Sequence, residues 1–374
     1  MTERESMSST KEDKKPVVNF TFAALDKFIE ETIVTPEERK GPHDMILWGR
    51  RNNYPNYIAG LYRDVTTLKT IISGSMDYVA GNDVQIARGL QGGGLKMNCK
   101  GDSIRNIVRG AAKDYFLFGG FAFQVIRDRV GRVAEIYNLP LRHVRSNKHN
   151  TVFYYNEKWG ELTVARHKTL IYPKFIADNV DEPTAVCFVK REDDVETYPV
   201  PQYSGAIKAC EMERQIDDFH LNSLHNGFFG SLIFNFNNGV PTDQVKDEIE
   251  SDFEEKFTGA QNAGRVGFSW NDSVQNRLTV DKIQVEDFGD KYSSLAKWAR
   301  QQMFTAFRAN PNLFGIPTDN LGFSKEEYDA AFELYNKTQI QPAQQLIVDT
   351  LQSIIGSDNR VAIIPFKLED RGNG

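Results

Sequence analysis

The sequence predicts an α+β fold, and three stretches carry that expectation. From Tyr292 onward apolar residues fall at Tyr292, Leu295, Ala296, Ala299, Met303, Ala306 and Phe307, the three-four spacing of a helix with one apolar stripe. Residues 103–138 read as a helix, a Gly-Gly break and a two-stranded hairpin, and residues 151–200 as short apolar runs separated by turn residues. At 374 residues the chain is long enough for two or three regions around a sizeable core, with 40% apolar and 26% charged content.

Composition narrows the function classes. No apolar run approaches the roughly 20 residues needed to span a bilayer, and Met1 to Pro16 is charged and unlike a signal peptide. Cys99, Cys187 and Cys210 are odd in number and widely spaced, which points to a reducing compartment and to neither a disulfide framework nor a zinc site. The net charge of −6 argues against a general nucleic-acid binder. It is compatible with a surface along which DNA slides, because a wall that neutralised many phosphates would hold its cargo. It equally serves solubility.

Taken in order, Met1 to about Lys15 is polar and is expected to be disordered. Phe20 to Ile29 suits a short strand or helix, and Asn52 to Tyr62 leads into a helix to about Val79 with Leu68, Ile71, Ile72, Ser75 and Val79 on one face. Gly89 to Gly94 lacks the following Gly-Lys-Ser/Thr of a phosphate loop and reads as a turn. Ser103 to Leu117 is a helix with Ile104, Ile107, Val108, Ala111, Ala112 and Tyr115 inside. Phe121 to Asp128 and Arg132 to Asn138 are its hairpin strands, turned at Val130-Gly131. Strand runs Val152–Tyr155, Glu161–Val164, Thr169–Tyr172 and Ala185–Val189 suggest an antiparallel meander. Tyr203 to Phe228 reads as one helix whose apolar residues, among them Ile207, Cys210, Ile216, Phe219, Leu221, Leu224 and Phe228, cover more than one face and so need neighbours on two sides. After a strand at Leu232–Phe236 comes an acidic helix, Asp243 to Phe257, with seven acids against Lys246 and Lys256. Arg265 to Trp270 and Arg277 to Val285 are further strands. The long helix stops at Asn310-Pro311-Asn312, because Pro311 lacks an N–H and pushes Asn310 out of helical space. A polar segment, Thr318 to Phe323, follows, and Ser324 with Glu327 forms a capping box for the next helix, to Ile355. Val361 to Phe366 is a last strand.

Two of these stretches resemble the portal proteins of tailed bacteriophages, the head-to-tail connectors. One is Phe307-Arg308-Ala309-Asn310-Pro311-Asn312-Leu313-Phe314-Gly315 at the end of a helix, similar to that family's aromatic-x-x-x-Pro-x-x-Leu/Phe-Gly signature. The other is Phe118-Gly119-Gly120-Phe121-Ala122-Phe123 through Arg127-Asp128-Arg129-Val130-Gly131 to Leu139-Pro140. Relatives often carry Asn or Asp where Gly120 stands, a departure that touches turn chemistry.

The resemblance implies a portal fold with an α/β wing, a long α-helical stem, a small α/β clip and little or no crown. It divides the chain into a disordered arm 1–18, wing 19–202, stem helix 203–229, clip 230–286, stem helix and turn 287–316, tunnel loop 317–324, outer wing helix 325–356 and a C-terminal strand and tail 357–374. It implies a homo-oligomeric ring, usually of twelve subunits, at one vertex of the capsid in the virion, assembled in the host cytoplasm. Double-stranded DNA passes through it without sequence specificity, and terminase, the major capsid protein and head-completion or tail-adaptor proteins are its partners, with no membrane. Thr318, Asp319, Asn320, Leu321, Gly322 and Phe323 would meet the DNA. Lys291, Lys297 and Arg300 would line the stem wall or face a neighbour, and Leu232, Phe234, Phe236, Val266 and Phe268 would sit at the clip between subunits.

Catalytic motifs are a separate matter. The sequence has no G-x-S-x-G elbow, H-E-x-x-H, Rossmann glycine triplet or Walker lysine. His220 and His225 are roughly 140° apart on a helix and cannot share a metal from it. The expectation is therefore a structural protein, not an enzyme, with no catalytic residues, metal or cofactor. The alternatives of another class are a phage-encoded DNA-processing enzyme subunit and a ring scaffold that holds no DNA.

Overall fold

A computed structural model describes residues 38–41, 44–49, 51–87, 96–159, 168–192, 197–225, 232–236, 242, 244–245, 266–270, 288–316, 324–356 and 359–366. The chain divides into two compact units, Met1–Thr35 and Pro36–Gly374, and the described residues all belong to the second. The expected arm 1–18, the segment 20–29, the turn Gly89–Gly94, the strand at 161–164, nearly all of the acidic helix, the strand at 277–285 and the loop 318–323 lie outside them.

Two short strands, β1 (Glu38–Lys40) and β2 (Met45–Trp48), precede α1 (Tyr54–Asp64) and α2 (Thr66–Ala80). The stretch read as a lead-in is itself a helix, and the chain breaks at Val65, which is extended with φ −95° and ψ 110°. Val65 offers α2 no side-chain cap. The buried carboxylate of Glu213 supplies one from another helix, its Oε1 accepting from Thr67 N at 3.1 Å.

After β3 (Asp83–Ala87), α3 (Ile104–Phe118) starts at Ser103, whose side chain accepts from Asn106 N, and buries Ile104, Ile107, Val108, Ala111, Ala112 and Tyr115 as its spacing predicts. It ends at Gly119 in the left-handed region, φ +85°. The hairpin is β4 (Gly120–Arg127) against β5 (Val133–Asn138), antiparallel. A Cβ on Gly120 would fall 2.5 Å from the Val189 carbonyl oxygen, so glycine here lets a strand approach.

The expected single meander is two sheets. Strands β6 (Val144–Asn147), β7 (Val152–Tyr155) and β8 (Leu170–Pro173) join β1 and β2 in the order β1-β2-β6-β7-β8. The fourth run, β9 (Thr184–Lys190), leaves them and pairs antiparallel with β4, giving β5-β4-β9. Local strand signals mark where strands are and do not encode their partners, since pairing is decided by which faces need burial.

The helix read from Tyr203 begins as a 3₁₀ turn, Ser204–Ala206, and runs as α4 (Ile207–His225). Strands β10 (Leu232–Phe236) and β11 (Val266–Trp270) pair with each other in parallel within the chain. Helix α5 (Phe288–Ala306) lies along α4. The last helix is in two parts: α6 (Lys325–Tyr335), a wide π turn at Asn336–Ile340, and α7 (Gln341–Ile355). The π turn sits just before Pro342, which has no N–H for the Thr338 carbonyl and whose ring would press on it. Strand β12 (Arg360–Ile364) then pairs antiparallel with β3.

The main apolar core of the described residues runs from Trp48 to Val361 and takes in residues of each of the helices named above, including Ala299, Met303, Phe304 and Phe307 of α5 and its end. Within it Arg145 is fully buried. Its guanidinium donates to Asn52 Oδ1, to the Asn52 and Arg142 carbonyls at 2.9 Å and to that of Val144 at 2.8 Å, and lies over Trp48 and Trp159. Burial pulls its pKa down to about 10, and oxygen acceptors and ring faces take the place of a carboxylate.

Two expected outcomes follow from this packing. Gly119→Ala puts a Cβ 2.2 Å from the Val200 carbonyl oxygen at a left-handed φ. The variant is expected to lose more than about 2 kcal/mol, read as a lowered denaturant midpoint. Asp114 accepts from Leu141 N at 2.7 Å, and burial pushes its pKa up to about 7 from 3.8. Burial, then the Arg142 charge, pulls His143 down to about 4. Folded Asp114 thus keeps a proton that the unfolded chain releases, so its contribution, full below 3.8, is lost as pH rises to about 7. That of His143, neutral in the fold, is lost as pH falls from 6.5 to about 4. Asp114→Asn should gain thermal stability over the parent progressively between pH 4 and pH 7 and hold that gain above it, measured as the difference in Tm across a pH series.

Candidate nucleic-acid interface

The stretch that carries one of the two sequence signatures is built from the end of α5 inward. Phe307 donates its N–H to the Met303 carbonyl, Arg308 enters the left-handed region at φ 51°, and Ala309 N closes back on the Phe304 carbonyl at 2.9 Å. Asn310 is then extended, and its side chain accepts from Asn312 N and caps the 3₁₀ turn Pro311–Phe314. Gly315, φ +72°, ends it. The helix itself ends at Ala306, ahead of the stop that the sequence puts at Asn310-Pro311, because the chain has already turned left-handed at Arg308, and the side chains that hold the turn come from elsewhere in the chain.

Phe307 stacks on Tyr203, ring centroids 5.0 Å apart, joining the end of α5 to the start of α4. Tyr78 on α2 donates to the Leu313 carbonyl at 2.8 Å. Phe314 lies over Gly74 of α2, where a Cβ would fall 2.7 Å from its ring, and meets Tyr78, Phe304 and Tyr335 edge-on or tilted. Thus the chain entering residues 317–323 is fixed at Ile316 by an aromatic nest. The chain leaving them is fixed by the capping box of Ser324 and Glu327, with both reciprocal hydrogen bonds formed. Deeper along that path Tyr335 shares a 2.7 Å hydrogen bond with Ser75, and Gln339, brought inward by the π turn, accepts from Gln202 at 2.7 Å.

The expected DNA-contacting residues Thr318 to Phe323, and the Lys291 side chain, lie outside the described residues. Lys297 and Arg300 are exposed on α5. At about 100° per residue they stand roughly 160° and 100° around from buried Ala299, away from the seam with the core. Leu232, Phe234 and Phe236 pair through their backbones with Val266, Phe268 and Trp270, which leaves one edge of each strand without an intrachain partner among the described residues.

The apolar stripes of α4 and α5 are only partly used within the chain. Ile207, Cys210 and Ile216 are buried, while Phe219 and Leu221 are 43% and 54% exposed. On α5, Ala299, Met303 and Phe307 are buried, but Leu295, read as part of the inward stripe, is 42% exposed and Trp298 47%. Between these outer halves Phe219 stacks on Tyr292 at 4.7 Å and His220 meets Tyr292 edge-on. The nest around Phe314 and the outward Trp298 were not read from sequence, although Gly74, alone inside an apolar helical stripe, was a local signal of close approach.

Among the described residues no group of three or more His, Cys, Asp or Glu could hold a metal ion, and no helix is long and apolar enough to cross a membrane. Cys99 is exposed, Cys187 half-buried and Cys210 buried, all as free thiols.

No family model matches the sequence. Two curated relatives are uncharacterized proteins of Rickettsia. That of Rickettsia bellii (strain RML369-C) is 26% identical over 163 residues, 42% of this chain and 39% of the other. That of Rickettsia felis (strain ATCC VR-1525 / URRWXCal2) is 26% identical over 170 residues, 42% of this chain and 40% of the other. Among solved structures, the fold is similar to a chain in the neck of an empty GTA particle computed with C6 symmetry, with TM-score 0.55, 13% identity and coverage of 92% of this chain and 90% of that one. It is also similar to one in the neck of a native GTA particle computed with C12 symmetry, with TM-score 0.51, 14% identity and coverage of 89% and 88%. A crystal structure of an HK97 family phage portal protein from Corynebacterium diphtheriae aligns at TM-score 0.45 and 11% identity, over 82% of this chain and 94% of the other. The likeness in fold thus spans nearly the whole chain, while the matches to curated sequences span about two fifths of those proteins.

Phe314→Ala removes the ring that closes the nest. With the ring only partly buried, a loss of about 2 kcal/mol is expected, below the 3–5 kcal/mol of a fully buried Phe, together with faster proteolytic cutting after residue 316.

Proposed function

We propose that this chain is a portal protein, a head-to-tail connector that forms a ring at one capsid vertex and lets double-stranded DNA pass. The observation that carries the reading is the fold shared over nine tenths of both chains with a component of the neck of a GTA particle. Two sequence signatures lend support, the Gly-Gly hairpin, formed as read, and the Asn310-capped turn at Pro311, which follows a helix that already ends at Ala306.

In this reading residues 19–202 and 325–356 make the wing, α4 and α5 the stem, 230–286 the clip and 317–324 the tunnel loop. The physical support is that α4 and α5 root in the core at one end and carry exposed Phe219, Leu221, Leu295 and Trp298 at the other. A free monomer leaves about half of the surface of those side chains in water, whereas copies standing side by side would bury it, at about 25 cal/mol per Å². The unpaired edges of β10 and β11 would be covered by the same arrangement. Residues 317–323, anchored at both roots, are too few to fold on themselves, so their polar tips Asp319 and Asn320 would project into the channel. The net charge of −6 and a few cations such as Lys297 and Arg300 favour sliding over retention. Terminase would supply the ATP chemistry, and capsid and tail-adaptor proteins would seat on the ring.

The purified chain, imaged by negative stain, should form rings with a central hole of duplex width. A solitary monomer under all conditions, including with capsid and motor proteins present, would overturn the reading. Trp298→Glu with Leu221→Glu should shift the ring toward monomer. Replacing 318–323 by Gly-Ser of equal length should leave rings intact and lower the DNA recovered in assembled particles.

A further inference from the structure

A second feature lies away from the rods. Between the C-terminal halves of α1 and α3, the turn at Leu141–His143 and the turn after β7 is a cleft of about 690 Å³. Four cationic residues, Arg63, Lys113, Arg142 and Lys158, line it together with the carboxylates Asp114 and Glu157. Ala59, Leu117, Phe118 and Pro140 give it an apolar floor. On a chain of net charge −6 this local cationic excess is against the trend of composition.

The cations are held in place by their neighbours. Lys113 Nζ lies 5.2 Å from the centre of the Tyr62 ring. Arg142 donates through Nε to His143 Nε2 at 2.9 Å, which leaves its terminal N–H groups for another acceptor. Arg63 is forked onto Asp64. Across the cleft Asn56 donates to the Trp159 carbonyl at 2.8 Å and Trp159 Nε1 to the His143 carbonyl at 2.7 Å, so the walls are tied together.

We infer that this cleft is a docking site for an acidic peptide segment of another polypeptide, with its carboxylates on Lys113 and Arg142 and an apolar side chain on the floor. Charge complementarity selects an anionic occupant, and two features select peptide over phosphate. Glu157 beside the cations can accept from peptide N–H groups, which a phosphate does not carry. The apolar floor rewards a side chain that a phosphate does not carry.

The test uses the purified full chain and a fluorescein-labelled peptide alternating Glu with Leu and Phe, read by anisotropy. A micromolar Kd that weakens as salt rises is expected. The paired variant Lys113→Gln, Arg142→Gln should weaken it by about a hundredfold, each single variant by about tenfold. Lys337→Gln, on another face, should leave it unchanged, and unchanged Tm would exclude misfolding. The same peptide with Gln for Glu should bind weakly. Absence of binding, or binding that ignores the paired variant, overturns the inference. So does pyrophosphate or a single-stranded oligonucleotide binding at the cleft in the peptide's stead, which would assign it to phosphate. Self-association of the chain that the paired variant abolishes would assign it to a second copy. The peptide and phosphate outcomes do not depend on whether rings form.

Discussion

The contact on which the molecule's arrangement turns is the seat of the Phe314 ring on Gly74. Helix α2 has no side chain there, and the ring enters to within contact of its backbone. This fixes where α5 stops relative to the core, because Asn310 to Phe314 is only one tight turn beyond it. It also fixes Tyr78 on Leu313 and Tyr335 on Ser75, so both ends of residues 317–323 refer to the same helix. Dispersion among close-packed rings is strong only at contact distance, and a shift of about 1 Å would forfeit much of it.

Polar ties complete what the rings begin. Glu213 caps α2 from α4, and Gln202 holds Gln339 beside the end of α5. In each pair the partners are more than a hundred residues apart in sequence. Buried polar groups of this kind are costly unless satisfied, which makes them selective for one arrangement. Glu213 Oε2 is buried without a hydrogen-bond partner among the described residues, so the cap is bought with one orphaned oxygen. Arg145 tells the same story in the sheets, tying the start of α1 to β6 through Asn52.

The rods that leave this core are half finished. Their inner halves are buried and their outer halves show Phe219, Leu221, Leu295 and Trp298 to solvent. A helix with a second apolar face is a statement about neighbours, and the chain alone does not supply them for these positions. The cationic cleft is of another kind, since its walls are complete and hydrogen-bonded before anything enters it.

Much of this was legible in the residues themselves. Helix α3 and its buried stripe, the Gly119 stop, the β4–β5 hairpin, the Asn310-capped turn and the Ser324 capping box depend on residues at most a few positions apart, and local rules of period, capping and backbone sterics determine them. Strand partnership was not legible: β9 reads as one more strand of a meander, yet it pairs with β4, because the need to cover a face is not written in the strand. The break at Val65 escaped because its compensation, Glu213, comes from a distant helix. Leu295 reads as inward because period alone assigns a face without saying how far along the rod the core extends. Sequence by itself determined the elements and their ends, where the physics is local. Only tertiary structure decided what each buried face meets and where burial stops, since those depend on groups that folding alone brings together.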